Sequence, residues 1–496
     1  MGRQDVEQTT YTSSDRRAHR ERLRSGLAAL RALLETDRFE TDRDRMGLEI
    51  ELNLADASGA PFLGNDRVLA LIDSAEFVPE LGRFTIEANV PPRDVGGYAF
   101  HALEDDLRRR LDDASSRVGQ LGGQLVTIGI LPTLSEQAIT SQAITANPRY
   151  HMLERQLLAA RGEDLELDIA GPHEHLVRHL DTIAAEAACT SVQFHLQVAP
   201  ENFAAVWNSS QAVAGVQLAL GANSPFFLHR ELWRETRTVL FEQATDTRTE
   251  ELRAQGVRPR VWFGERWIGS VVDLFEENLR YFPPLLAEVD DEDPGRVLEA
   301  GGVPSLAELR LHNGTIYRWN RPVYDVPGGV PHLRVENRVL PAGPSVLDVV
   351  ANAAFYYGLV RGLAESSAPV WQELPFEVAA DNFVTGARDG IEAVQRWPGR
   401  EGLRELPASE LVLRELLPLA HIGLERWGID AGERDRYLGV IEARAARRVN
   451  GASWQVAAVR ALEDAGHSRP DALAAMTRRY VEHAAANAPV HTWPVL

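Results

Sequence analysis

Apolar and polar residues alternate strictly in several short segments of this chain. In the segment 46–54, MGLEIELNL, the apolar side chains fall on one face, and Gly47, Glu49, Glu51 and Asn53 fall on the other. Neighbouring side chains of a strand point to opposite faces, so this pattern predicts a half-buried strand with an acidic face. The segments 84–90, 191–198 and 332–340 repeat the pattern, which predicts further strands of the same kind.

Other parts of the chain carry apolar residues at helical spacing. This spacing predicts helices over 13–34, about 100–120 and about 345–363, and several more from about residue 408 onward. A short strand is predicted near 125–130. Helices and strands together indicate a mixed α and β protein.

The chain also shows where its parts divide. Residues 1–12 have no hydrophobic pattern and are predicted to form a flexible tail. The stretch 396–406 contains Pro398, Gly399 and Gly402 and is the best candidate for a boundary. We therefore expect one main domain over 13–400 and a helical C-terminal region over 401–496.

The polar faces of the predicted strands have an unusual composition. They carry carboxylates, an imidazole, amides and guanidinium groups, whereas a solvated sheet face usually mixes Lys, Thr, Ser and Glu. For any one strand a solvated face explains the pattern, but four such faces together favour a metal-lined site. Carboxylates on neighbouring strands repel unless cations bind them, and oxygen ligands suit Mg²⁺ or Mn²⁺. If the strands share one sheet, the residues that converge are Glu49, Glu51, Glu87, Gln193, His195, Arg334, Glu336 and Arg338.

Composition excludes several kinds of protein. All 52 basic residues are arginine, so neither a Schiff-base lysine nor the lysine of a Walker A nucleotide site is present. Any phosphate must be bound by arginine, backbone N–H groups and metal. The net charge of −20 argues against nucleic acid and against an anionic membrane surface. The sequence has a single cysteine and shows neither a secretory signal nor a membrane span, so we expect a cytoplasmic protein.

Three further motifs have ordinary interpretations. The segment 171–179, GPHEHLVRH, fails the HExxH zinc pattern because Val177 stands four residues after His173. His175 and His179 could share a helix face, but surface histidines are favoured over a zinc site. Cys189 is expected to be a small buried side chain. The aromatic segment 261–267 suits either core packing or a nucleotide pocket, and core packing is favoured.

A set of motifs in a fixed order resembles a known family. The order is GLEIEL (47–52), Glu80 and Glu87, CTSVQFHLQV (189–198), ANSPFF (222–227), HNGTIYRWNRP (312–322), LRVENRV (333–339) and DNFVTGARDGIEA (381–393). Over roughly residues 45–395 this chain resembles the glutamate–cysteine ligase and carboxylate–amine ligase family of the glutamine synthetase superfamily. The last hundred residues match no part of that pattern.

The resemblance implies a fold and a set of site residues. The fold would be α+β, with an antiparallel sheet that forms an active-site funnel, ATP at one end, an acidic amino acid at the other and magnesium between. Arg338 matches the arginine that steadies the transferring phosphoryl group. Gln193 stands where many members have a metal-binding histidine, and His195 stands where one branch has asparagine. The matches to metal ligands are Glu49, Glu51, Glu80, Glu87, Gln193, His195 and Glu336, and those to nucleotide-side or phosphate-side contacts are His312, Thr315 and Arg318.

The implied function is that of an ATP-dependent ligase. It would activate the γ-carboxylate of glutamate as an acyl phosphate and join it to an amine such as cysteine, using ATP and Mg²⁺ or Mn²⁺. Its partners would be the small-molecule amino acid and amine substrates. A homo-oligomer is possible, and the sequence does not decide the oligomeric state. Two alternatives remain: an ATP-dependent kinase or phosphotransferase, and a non-catalytic nucleotide- or metal-binding protein on the same fold.

Overall fold

A computed structural model of the protein describes residues 10–41 and 43–495. Residues 1–9 of the predicted tail lie outside these ranges. The strands are β1 (Arg45–Asp56), β2 (Phe77–Pro79), β3 (Thr85–Asp94), β4 (Gly123–Val126), β5 (Leu165–Ala170), β6 (His175–Leu180), β7 (Val192–Val198), β8 (Phe226–Phe227), β9 (Arg230–Glu231), β10 (Val261–Trp262), β11 (Tyr317–Arg318), β12 (Asn320–Asp325), β13 (His332–Asn337), β14 (Val394–Gly399) and β15 (Gly402–Pro407).

Helices surround these strands. They are α1 (Ser13–Leu34), α2 (Asn65–Ile72), α3 (Ala99–Gln120), α4 (Pro148–Arg161), α5 (Phe203–Gly221), α6 (Thr236–Ala244), α7 (Glu250–Ala254), α8 (Val271–Tyr281), α9 (Pro294–Glu299), α10 (Ala307–Asn313), α11 (Val346–Ala364), α12 (Phe376–Asp389), α13 (Ala408–Leu411), α14 (Leu417–Arg426), α15 (Ala431–Arg447), α16 (Gly451–Asp464) and α17 (Arg469–Ala485). Thr12 caps α1, because its side chain accepts from the Asp15 N–H and the Asp15 carboxylate accepts from the Thr12 N–H. None of the described helices has the length and apolar character that a bilayer crossing requires.

The central sheet is antiparallel and has seven strands within the described ranges. Its order is β12-β13-β7-β1-β3-β2, and β4 also pairs with β1. The strands β1 and β7 therefore lie in the middle, and their polar faces adjoin those of β3 and β13. The curled antiparallel sheet flanked by helices confirms the predicted α+β class.

The apolar face of the sheet packs on two long helices. Phe194 of β7 stacks on Tyr356 of α11 with ring centroids 6.1 Å apart. Tyr357 of the same helix donates its hydroxyl to the backbone oxygens of Gly47 and His195, at 3.1 and 3.0 Å. Both helices α5 and α11 are buried along almost their whole length. With one face closed in this way, the polar face has to accommodate the functional side chains.

The predicted elements agree with the structure with a few corrections. The strand expected near 125–130 is β4, which ends at Val126, and the strand expected over 332–340 ends at Asn337. The histidines 175 and 179 lie on strand β6 rather than on a helix, because 175–180 pairs with β5. His175 contacts Asp168 at 2.5 Å.

The predicted boundary region forms a hairpin. Strands β14 and β15 pair across residues 394–407, and α13 follows directly. Helices α14 and α15 then pack against α11, and their residues Leu424, Tyr437 and Ile441 belong to the main hydrophobic core. The division of the chain at residue 400 stays a prediction.

Candidate functional site

Strand pairing brings the predicted site residues together on the polar face of the sheet. Glu51 of β1 lies opposite Glu87 of β3. On its other side β1 pairs with β7, which places Glu49 opposite Gln193. Because the side-chain period of a strand is two residues, each of these strands adds a further polar side chain to the same face.

The acidic residues form two groups. The inner cluster consists of Glu51, Glu80 and Glu87, and the outer cluster consists of Glu49, His195 and Glu336. Within each cluster, one ligand atom from every residue lies within 4.8 Å of the others. Glu80 follows β2 and reaches the sheet from the side, whereas the other five residues stand on strands. All six are among the residues predicted to bind metal.

The inner cluster holds negative charge that no neighbouring cation neutralises fully. Burial raises the pKa of Glu87 to about 7, and the nearby Glu49 charge adds to the rise. Burial raises the pKa of Glu80 well above its usual range, and the charges of Glu87 and Glu51 add to it. The pKa of Glu51 is also raised by burial, although Arg338 opposes the rise. A raised carboxyl pKa means that the ionised form is destabilised at this position.

The outer cluster is neutralised by arginine instead. Arg321 binds both oxygens of Glu336 through its Nε and Nη2, each at 2.7 Å. Arg338 adds a third bond, from Nη1 to Glu336 Oε1 at 2.5 Å. Burial would raise the pKa of Glu336, but these two guanidinium groups hold it well below its usual range. Glu336 therefore has little free acceptor capacity in this arrangement.

His195 is oriented by a third arginine. Arg334 Nε donates to His195 Nδ1 at 3.1 Å. His195 Nε2 then lies 3.2 Å from Glu49 Oε1, without hydrogen-bond geometry to any described residue. An imidazole that accepts at Nδ1 carries its proton at Nε2, so the N–H lies beside Glu49 without forming a hydrogen bond to it. Metal binding by Nε2 would require the contact with Arg334 to open.

Arg338 and Gln193 connect the two clusters. Gln193 donates to Glu51 Oε1 at 2.8 Å and accepts from Arg338 Nη1 at 2.6 Å. Arg338 Nη2 lies 3.8 Å from Glu51 Oε1. Burial lowers the pKa of Arg338, but the charges of Glu336 and Glu51 outweigh burial and raise it above its ordinary value. The guanidinium stays charged between the two clusters.

Two cavities meet at these clusters. The larger has a volume of about 990 Å³ and is lined by the outer cluster, by Glu80 and Glu87, and by four arginines, Arg149, Arg310, Arg321 and Arg334. The smaller, which we name the inner cavity, has a volume of about 30 Å³ and is lined by the inner cluster together with Arg237, Arg318, Arg338 and Glu186. Glu80 and Glu87 line both cavities, so the inner cluster lies at their junction.

The three residues predicted to contact the nucleotide differ in whether they line a cavity. Arg318 lines the inner cavity, where its Nη2 donates to Glu277 at 3.0 Å. His312 and Thr315 line neither cavity. His312 Nε2 contacts the Asn278 backbone oxygen at 3.1 Å, and Thr315 donates its hydroxyl to the His312 backbone oxygen at 2.8 Å. Their contact with a nucleotide stays a prediction.

Two functional candidates were missed by sequence reasoning. Arg321 lies directly opposite Glu336 in the pairing of β12 with β13. A buried glutamate on a strand needs a cation on its neighbour, which is the signal that would have found it. Glu186 stands alone among small residues in the segment 182–190, TIAAEAACT, and lines the inner cavity. An isolated acidic residue in a segment of small residues is also a signal of a functional side chain.

The remaining motifs have structural roles. Trp262 is half-buried and supports Arg318, whose guanidinium carbon lies 4.8 Å from the ring centroid. Phe263 packs against Phe376 and Phe383 with centroid distances of 5.5 and 5.2 Å. Cys189 is partly buried at the inner cavity, and burial raises its pKa well above the usual thiol value.

The inner cluster fits a divalent cation. Its donors are carboxylate oxygens, which Mg²⁺ and Mn²⁺ prefer, and the raised pKa values show charge that the protein leaves unbalanced. The outer cluster has oxygen donors too, but a cation there competes with Arg321 for Glu336.

Comparisons with known proteins agree with this fold. The family model described as glutamate-cysteine ligase family 2 matches residues 45–457. No curated protein matches the sequence. A glutamate–cysteine ligase from Francisella tularensis, solved in complex with AMP, is 12% identical with a TM-score of 0.54, covering 92% of this chain and 91% of that chain. A bifunctional glutathione synthetase from Pasteurella multocida is 14% identical with a TM-score of 0.49, covering 95% of this chain and 55% of that chain.

Proposed function

This chain belongs to glutamate-cysteine ligase family 2, and from that membership we propose that it is an ATP-dependent carboxylate–amine ligase. The acid substrate is glutamate, activated at its γ-carboxylate, and the amine is cysteine or a similar primary amine. One observation carries the proposal: Arg338 lies between two carboxylate clusters and lines the small cavity, which meets the large cavity at Glu80 and Glu87.

The large cavity suits a nucleotide. Its volume of about 990 Å³ is at the upper end of ordinary ligand sites, whereas the inner cavity of about 30 Å³ is far below that range. Four arginines line the large cavity, and planar guanidinium groups bind phosphate oxygens in pairs. In a protein without lysine, arginine has to supply the positive charge that a triphosphate needs. Arg321 already binds Glu336, so a phosphate that it binds shares its charge with that carboxylate.

The inner cluster is the first site for Mg²⁺ or Mn²⁺, held by Glu51, Glu80 and Glu87. At the outer cluster, Glu49 and Glu336 are the further candidate ligands. The ion supplies charge neutralisation and orientation of phosphate oxygens. In the present geometry Gln193 and His195 are better described as orienting groups, because Gln193 Oε1 accepts from Arg338 and His195 Nδ1 accepts from Arg334.

The chemistry needs no protein nucleophile. A carboxylate oxygen attacks the γ-phosphorus of ATP and ADP leaves, which converts the poor leaving group of the acid into phosphate. The amine, as its free base, then attacks the acyl carbon. The C–N bond forms as the C–O bond breaks, and the leaving phosphate takes up the proton that the nitrogen loses. Arg338 stabilises the charge that grows on the phosphoryl oxygens during the first step.

Measurement of ADP release tests this function. Purified protein is incubated with ATP, Mg²⁺, L-glutamate and L-cysteine, each omitted in turn, and the product is identified by mass spectrometry. We expect an amide that forms only when acid and amine are both present. Phosphorylated product without amide would indicate a kinase instead, and no ADP release with any acid and amine in a panel would refute the ligase assignment.

A further inference from the structure

The inner cavity contains a fourth acidic residue that the metal assignment does not use. Glu186 lines this cavity together with Glu51, Glu80 and Glu87. The other three bring their oxygens within 4.8 Å of one another, and Glu186 does not belong to that group. Glu186 therefore faces the same space from a position that is not part of the cation site.

The Glu186 carboxylate has no partner in the described part of the chain. Its Oε2 is buried without a hydrogen bond, and no described arginine or histidine forms an ion pair with it. The backbone holds it in place, since its N–H donates to Ile183 O and its own carbonyl accepts from Cys189 N–H, each at 2.9 Å. Glu186 as a whole is partly buried, but a buried carboxylate oxygen without a partner is costly, and a cationic group from outside the chain would relieve that cost.

A donor on the wall of the same cavity is also unsatisfied. Arg318 is 1% exposed, and its Nη1 is buried without a hydrogen-bond partner. Its Nε and Nη2 are held by Asn278 and Glu277, so the guanidinium is fixed. The inner cavity thus presents one unpartnered acceptor, at Glu186, and one unpartnered donor, at Arg318.

We propose that Glu186 binds the primary ammonium group of an amino acid substrate. The proposal rests on the ligase function proposed above and adds a residue to it. The small volume of the cavity, about 30 Å³, admits an ammonium head group and excludes bulky cations. Both the acid and the amine substrate carry such a group, and the experiment separates these two sources.

The test compares substrates with and without the ammonium group. Glutarate has both carboxylates of glutamate but lacks the ammonium, so it isolates that contact. The variant is Glu186→Gln, which keeps the shape and removes the charge. Glu154→Gln is the matched control, because Glu154 is 8% exposed, accepts from Thr182 Oγ1 at 2.6 Å and lines neither cavity. Removal of a buried carboxylate without a partner leaves the fold of Glu186→Gln intact, which circular dichroism checks.

Loss of a charge-assisted contact raises the KM of the affected substrate by about ten- to a hundredfold. If Glu186 binds the acid, the KM of glutamate rises, that of glutarate does not, and the preference of the parent for glutamate disappears. If it binds the amine, the KM of cysteine rises and both acids are unaffected. Glu186→Asp keeps the charge and retains part of the preference. Values of KM for glutamate and cysteine within twofold of the parent, or an equal rise in the KM of ATP, would overturn the proposal.

Equilibrium binding separates this proposal from the ligase function. A parent protein that releases no ADP refutes the proposed reaction, and calorimetric titration with glutamate, glutarate and cysteine then decides the role of Glu186. Affinity that depends on the ammonium group and is lost in Glu186→Gln supports the assignment. Absence of that dependence in the parent, or its survival in the variant, overturns it.

Discussion

Replacement of Arg338 by alanine or lysine tests the step in which phosphoryl charge develops. Arg338 Nη1 uses both of its protons, one on Gln193 Oε1 at 2.6 Å and one on Glu336 Oε1 at 2.5 Å. Its Nη2 is 3.8 Å from Glu51 Oε1, which is beyond hydrogen-bond distance. The Nη2 protons are therefore available to a phosphoryl oxygen at the junction of the two cavities.

The size of the effect follows from these contacts. Loss of one donor aimed at developing charge costs about 3–4 kcal/mol, or about a hundredfold to a thousandfold in kcat. In Arg338→Ala, Glu336 keeps its two bonds to Arg321, so no bare carboxylate is left and the protein stays folded. In Arg338→Lys, a single ammonium group cannot bind Gln193, Glu336 and a phosphoryl group together, so we expect poor rescue.

The assay separates chemistry from binding. ADP release gives kcat, and calorimetry gives the Kd of ATP for each variant, with the exposed surface change Arg414→Ala as control. We expect ATP affinity within several-fold of the parent and nearly no turnover in either variant. Near-normal kcat in Arg338→Ala, or a loss explained entirely by weaker ATP binding, would refute the role of Arg338.

The other predictions concern the acidic clusters. Excess EDTA should abolish ATP turnover and added Mg²⁺ or Mn²⁺ should restore it, whereas full turnover in EDTA contradicts a metal-dependent site. Glu49→Ala should lose most activity with an unchanged circular dichroism spectrum, and normal turnover would show that this strand face is merely solvated. Burial raises the pKa of Glu87 from 4.5 to about 7, so the folded state binds this proton more tightly than the unfolded state. The metal-free protein should therefore lose on the order of 3 kcal/mol of unfolding free energy between pH 4.5 and 7, measured by urea unfolding, and Glu87→Gln should flatten that slope.

The strands that carry the site could be predicted because their alternation is strict. In the segment 46–54 every second residue is apolar, and a one-residue shift would expose the whole set. That constraint fixes which side chains share the polar face, and in the structure Glu51 lies opposite Glu87 and Glu336 lies opposite His195 on that face. The helices 13–34 and 345–363 are predicted from apolar residues at helical spacing. The structure adds a polar cap at the start of each.

The balance of charge within the site could not be predicted from alternation. Arg321 lies on β12, and its bond to Glu336 depends on which strand lies next to β13. Glu186 reaches the inner cavity from a loop, where no periodicity fixes the direction of a side chain. His175 was considered for a helix face because four-residue spacing suits a helix, yet the same spacing also places two side chains on one face of a strand.

The absence of lysine gives the two clusters different tasks. Guanidinium groups are planar and permanently charged, so Arg321 and Arg338 neutralise Glu336 without any ion from solution. Neither Arg321 nor Arg338 forms an ion pair with Glu80 or Glu87 in the described part of the chain, and burial and the neighbouring carboxylates raise the pKa of both carboxyls. A cation added to the protein should therefore bind most favourably at the inner cluster, where it removes repulsion between carboxylates. It should bind least favourably at Glu336, where it must displace an arginine. We therefore expect a divalent ion to bind first at the junction of the two cavities, where the proposed reaction would pass a phosphoryl group from nucleotide to acid.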